Sequence, residues 1–178
     1  MREKGLDRDY ILFLTLAYTG IRVGELCALK WNDIDFQEHT MTISRTYYNP
    51  TNNLREYKLL TPKTTTSKRT LDLSPIVIKE LTKHQDAQNK IRMRSRDMYH
   101  DTYPKFIKTI ENRMRRLLKI AKLNDTLTPH SLRHTHTSLL AEAGVSLPEI
   151  MARLGHKDDA TKTCIPSHDK VNAKRGLP

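Results

Sequence analysis

No tyrosine follows Tyr103 in this 178-residue chain, so its C-terminal part has no phenol to act as acid, base or nucleophile. Cysteine is nearly absent too: Cys27 and Cys164 are the only two, too few for a disulfide framework, which points to a reducing compartment and a cytoplasmic protein. Long apolar runs are missing. The first such stretch, Tyr10 to Tyr18, is too short to span a bilayer, and the charged start Met1-Arg2-Glu3-Lys4 followed by no small-residue cleavage site does not read as an export signal. Membrane and secreted roles are thereby excluded from the expectation. Internal repeats and low-complexity tracts are absent as well. Acidic residues are in deficit: 20 Asp and Glu face 31 Lys and Arg, for a net charge of +11, and the isoelectric point is near 9.7. An excess of this size attracts polyanions, and double-stranded DNA is the expected partner. Between Lys90 and Lys122 stand 11 basic and 3 acidic residues, so most of the excess is concentrated there and predicts a basic face.

The chain is long enough to bury a core without disulfides or metal, and its order of elements is that of an α+β domain. Tyr10 to Tyr18 predicts a helix ending at Thr19-Gly20, and Val23, Leu26, Cys27 and Leu29 predict a second one over Val23 to Lys30. From Trp31 to Ser74 the pattern turns β-like. Met41-Thr42-Ile43 alternates, Asn49-Pro50 and Thr51-Asn52-Asn53 break the chain, and Arg69-Thr70-Leu71-Asp72-Leu73 alternates again, for a small antiparallel sheet of about three strands. Ser74-Pro75 opens a helix reaching about Arg94. Beyond Tyr103-Pro104 a basic helix places Ile107, Ile110, Met114, Leu117, Leu118 and Ala121 on one face, ending at Asn124-Asp125. Thr128-Pro129 opens a helix that Gly144 caps after Ala143, and Leu147 to Leu154 forms a last short one.

Transfer of a phosphoryl group needs cations around the non-bridging oxygens and a proton donor for the leaving oxygen, and arginine serves best because its fork holds two oxygens at once. Four segments carry groups of that kind. They are Thr19-Gly20-Ile21-Arg22-Val23-Gly24-Glu25 with Leu29-Lys30-Trp31-Asn32-Asp33-Ile34-Asp35; Thr61-Pro62-Lys63-Thr64 with Ser67-Lys68-Arg69; His130-Ser131-Leu132-Arg133-His134; and Leu154-Gly155-His156. Together, and in this order, they resemble the catalytic domain of tyrosine recombinases, the phage integrase family, over Gly5 to about Asp159. The resemblance implies a mostly helical fold with a small sheet and an ancestral activity of DNA breaking and rejoining, with no metal or nucleotide cofactor. It implies Arg22 and Arg133 as the phosphate clamps and Glu25 as a brace for the site. Lys63 would be the acid for the departing 5′ oxygen, His130 a proton-transfer partner and His156 a hydrogen-bond donor to the scissile phosphate. His130, His134 and His136 crowd one stretch, but no thiolate or well-spaced carboxylate completes a ligand set, so no metal is expected.

The family's nucleophilic tyrosine follows the last segment by about ten residues, and here that stretch reads Ile165-Pro166-Ser167-His168, with Pro166 at the aligned position. Proline has no hydroxyl and no amide hydrogen to keep a helix intact. If Ile165 is encoded ATA and Pro166 CCN, reading one nucleotide later yields TAC, a tyrosine codon, so a frameshift accounts for the change. The expected organisation is then a catalytic domain over 1–168 with a degenerate C-terminal end, a non-native tail over 169–178, and no N-terminal core-binding domain. The function expected is that of a defective integrase remnant that still binds DNA, with self-association on DNA left open. A second reading stays open beside it: Ala141 to Ile150 resembles a helix-turn-helix, as in a non-enzymatic DNA-binding regulator.

Overall fold

The protein is described here by a computed structural model that covers residues 5–6, 8–51, 53, 56–61, 68–96 and 106–155. The elements run α1 (Asp9–Thr19), α2 (Val23–Ala28), a short 3-10 turn (Trp31–Asp33), β1 (Ile34–Asp35), β2 (Thr40–Ile43), β3 (Thr46–Tyr48), β4 (Lys58–Leu60), β5 (Arg69–Asp72), α3 (Pro75–Arg94), α4 (Ile107–Ile120), α5 (Pro129–Glu142) and α6 (Leu147–Leu154). The expected helices all form. Strands β1, β2 and β5 make the expected antiparallel three-stranded sheet in that order, with Met41 opposite both Ile34 and Leu71.

The apolar α1 is central because its side chains leave little polar surface: Ile11, Phe13, Thr15, Leu16 and Thr19 are all buried. It packs against α5, α3 and α2. Its two buried hydroxyls are satisfied within the helix, Thr15 donating to the Ile11 carbonyl at 2.8 Å and Thr19 to the Thr15 carbonyl at 2.6 Å. Gly20 ends α1 at φ +64°, and a Cβ there would stand 2.6 Å from Cδ2 of His136, so both the turn and the close approach of α5 require glycine. The core continues through Met41, Ile43, Leu71, Val77, Leu81, Ile110 and Met114, which joins the sheet to α3 and α4. No helix among the described residues is long and apolar enough to cross a membrane.

Two features depart from the sequence expectation. A second, two-stranded ladder pairs β3 with β4, Tyr47 opposite Leu59. The break at Asn49-Pro50 is the turn of this hairpin, held by the Asn49 side chain, which donates to the Asn53 carbonyl at 2.9 Å and accepts from its amide at 3.2 Å. The basic segment is also less uniformly outward than its charge suggests. On α4, Arg113 and Arg116 turn inward and bind the fully buried carboxylate of Asp9 at 2.8 and 3.2 Å, while Lys108, Arg115 and Lys119 face solvent. A carboxylate removed from water must be paired, and these two guanidiniums of α4 do it.

Candidate active site

The site is assembled where four helix ends and one strand meet. Arg22 occupies the N-cap position of α2, and the carboxylate of Glu25, three residues on, accepts both its backbone N–H at 2.9 Å and its Nη1 at 3.0 Å. This sequence folds so because a glutamate at the third helical position can reach back to the unsatisfied amide at the cap. The Arg22 side chain remains 40% exposed while that of Glu25 is 6% exposed, so a buried anion anchors a cation that reaches solvent.

Glu25 has a second arginine. Arg69, on the inward face of β5, donates from Nη2 to Oε2 at 2.9 Å and from Nη1 to Oε1 at 3.2 Å. Its Nε donates to the Arg153 carbonyl at 2.7 Å, in the last turn of α6. Burial alone would raise the Glu25 carboxyl, but the hydrogen bond and charge of Arg69, then those of Arg22, hold it below the ordinary 4.5.

Arg133, from the second turn of α5, is 3% exposed. It donates from Nη1 to the Gly20 carbonyl at 2.6 Å and from Nη2 to the Leu154 carbonyl at 2.7 Å, tying the ends of α1 and α6 together. Burial, then the charge of Arg22, lowers its pKa to about 10, with Glu25 acting in the opposite sense; the guanidinium stays charged at neutral pH. Arg69 and Arg133 thus hold consecutive carbonyls at the C-terminus of α6, where the helix dipole favours cations. Gly155 ends that helix at φ +67°, and a Cβ there would lie 3.0 Å from Nη1 of Arg69.

His130 stands in the first turn of α5 with its ring centroid 4.6 Å from that of His134, edge to face. Partial desolvation of the ring, then the positive charges of His134, Arg133 and Arg22, lowers its pKa below 6.5, so it is neutral at pH 7 and can accept a proton. His136 faces the other way and is buried, accepting from Nε of Arg153 at 3.3 Å. The histidines that crowd the sequence therefore divide between two faces of α5. No group of three or more His, Cys, Asp or Glu among the described residues is placed to hold a metal ion.

Of the residues singled out from sequence, Arg22, Glu25, His130 and Arg133 come together. Lys63, His156 and Pro166 lie outside the described residues. Sequence reasoning missed Arg69 and Arg153. The former left a signal: β5 alternates buried and exposed, and Arg69 falls in phase with buried Leu71.

A helical domain with a small antiparallel sheet is the fold of tyrosine-recombinase catalytic domains. Consistent with that class, 97% of the chain matches 60% of the Tn1549 transposon integrase, solved in complex with circular intermediate DNA, at a TM-score of 0.75 and 23% identity. The Phage integrase family matches residues 3–165, and the chain belongs to that family. The integrase of Staphylococcus phage L54a is 33% identical over 170 residues, covering 90% of this chain and 48% of that protein. The ICEBs1 integrase of Bacillus subtilis (strain 168) is 32% identical over 188 residues, covering 97% and 49%. The chain spans about half the length of the curated relatives it matches.

Proposed function

We propose that this chain corresponds to the catalytic domain of a mobile-element integrase that grips the DNA backbone in the cytoplasm but, with Pro166 in place of the nucleophile, does not cleave it. The observation that carries the reading is the half-exposed guanidinium of Arg22, anchored by Glu25 and held in the same charge cluster as Arg133 and the neutral ring of His130. Arg22 and Arg133 would neutralise the non-bridging oxygens of one phosphodiester, Lys63 would protonate the leaving 5′ oxygen, His130 would move a proton, and His156 would donate a hydrogen bond to the phosphate. Glu25 keeps Arg22 oriented. Nothing in these roles needs a metal or nucleotide. The family match stops at residue 165, one before Pro166.

The helix-turn-helix reading of Ala141 to Ile150 fits the chain path, since Gly144 at φ +81° joins α5 to α6. It fits the packing less well. Ile150, Met151 and Leu154 of α6 are buried and its terminal carbonyls are bound by Arg69 and Arg133, so this helix serves the arginine cluster. Self-association would occur on DNA, where copies meet on adjoining sites.

The test is duplex DNA binding by the intact chain across a salt series, with a nicked suicide substrate run in parallel. Affinity should fall steeply as salt rises, because phosphate contacts displace counterions, and no protein-DNA adduct should survive denaturing electrophoresis. Salt-independent binding would defeat the phosphate-gripping reading. An adduct abolished by Cys164→Ala or Ser167→Ala would show that a neighbouring side chain has taken over as nucleophile.

A further inference from the structure

Arg69 is 9% exposed and sits too deep to be a general phosphate contact, yet it carries a fork of donors into the centre of the site. Its bonds divide between two elements. One side of the guanidinium faces the Glu25 carboxylate at 2.9 and 3.2 Å, and Nε holds the Arg153 carbonyl at 2.7 Å, two residues before the Gly155 that ends α6. Gly155 lies so close over it that a single added carbon would meet Nη1 at 3.0 Å. Each oxygen of Glu25 is shared: Oε1 accepts from Arg22 Nη1 and Arg69 Nη1, and Oε2 from the Arg22 amide and Arg69 Nη2.

We propose that Arg69 is a positioning residue that occupies one side of the Glu25 carboxylate while clamping the end of α6, and so keeps the Arg22 guanidinium turned toward DNA in register with the Gly155 turn. The inference rests on the DNA-gripping reading above. Without Arg69, the buried carboxylate would have Arg22 as its remaining strong partner in this cluster. A fork-to-fork pairing between the two would then draw into the protein the charge a phosphate needs. Lysine cannot substitute. It restores one positive charge but has no planar fork to serve both carboxylate oxygens and the Arg153 carbonyl together.

A double-mutant cycle on the full chain tests this. Affinity for duplex DNA at fixed low salt is measured for the parent, Arg22→Ala, Arg69→Met and the double variant, with Arg69→Lys alongside. Arg22→Ala should weaken binding by about fivefold in the parent and by less than about twofold in the Arg69→Met background, since the charge has already been withdrawn. Arg69→Lys should behave as Arg69→Met. A purely structural role predicts that the two losses multiply, and multiplication within about twofold overturns the assignment. A second measurement needs no DNA. The Arg22 Nε–H and Gly155 amide resonances should both move in Arg69→Met and Arg69→Lys, and stay in place in Val77→Ala, a core variant that lowers stability away from the site. If they move equally in all three, or do not move, Arg69 does not position the site. Should the parent fail to bind DNA, or Arg22→Ala leave affinity unchanged, the DNA-gripping reading fails and the resonances alone decide the role of Arg69.

Discussion

Asp9 shows how one residue can set the terms for distant ones. Its carboxylate is fully buried at the start of α1, accepts the Leu6 amide at 2.8 Å, and is flanked by Arg113 and Arg116 of α4. Asp9→Ala should lower the unfolding free energy by about 3 kcal/mol, because two guanidiniums lose the anion that justifies their inward turn. Urea denaturation measures it, and a loss below about 1 kcal/mol would show that water compensates the cluster. His136 acts on a different axis. Burial, then the charge of Arg153, lowers its pKa below 6.5 despite a bond to the Ala17 backbone that works the other way. With the folded value depressed, the unfolded chain binds the proton first. The stabilisation is complete above pH 6.5 and is lost as pH falls through the lowered folded value. Unfolding free energy should therefore decline on going from pH 7.5 toward 5, with a shallower slope in His136→Gln; His130, also depressed, supplies part of the remainder. Equal slopes in parent and variant would mean that His136 titrates alike in both states.

Helix α4 separates charge that faces solvent from charge that folds. Its apolar stripe was legible in the sequence, and Ile110, Met114, Leu117 and Leu118 are buried as the spacing predicts. Ala121, assigned to the same stripe, is exposed because the helix ends at Ile120. What the sequence did not show is which arginines turn inward, since their partner Asp9 lies 104 residues before Arg113 and no local pattern connects them. The hairpin β3–β4 was missed for a related reason: Lys58–Leu60 is exposed throughout, without the alternation that marks a half-buried strand. The site was legible where its residues form compact motifs, as Arg22 with Glu25 and His130 with Arg133 do. Arg69 needed its phase on β5 to be read against a partner from another element. The division on α4 has a measurable consequence. Arg115→Ala and Lys119→Ala, both at exposed positions, should each weaken DNA binding and reduce the salt slope by roughly one unit while leaving stability nearly unchanged. Arg113→Ala should do the reverse, lowering stability with little change in slope. Similar slopes for all three variants would mean that α4 does not lie along the DNA.

On the scale of the whole molecule, the arginine cage and the missing tyrosine are separable, because the cage is built from the ends of α1, α2, α5 and α6 with β5, all within the described residues, whereas Pro166 follows them in the chain. If the cage is intact, supplying a nucleophile in the right place should restore strand cleavage. Three proteins compare the routes: the chain as given, Pro166→Tyr, and a version translated in the shifted frame from residue 166 onward. The expected order of adduct formed on a nicked suicide substrate is none, little and most. Pro166→Tyr supplies a hydroxyl but retains the same downstream sequence, and a displacement of about 1 Å at a reacting atom costs about 100-fold in rate. Where Ile165 is encoded ATA and Pro166 CCN, the shifted frame supplies a tyrosine together with the downstream residues expected to align it. A codon other than ATA at Ile165 would remove the basis for the shifted frame and leave substitution as the explanation for Pro166. If all three proteins bind DNA with the same salt slope and none forms an adduct, the tyrosine is not the sole deficiency. Fusing the part of a relative such as the L54a integrase that this chain does not match then separates the remaining causes. Recovery in the fusion would assign the defect to weak engagement of the DNA, and continued inactivity would assign it to the phosphate cage.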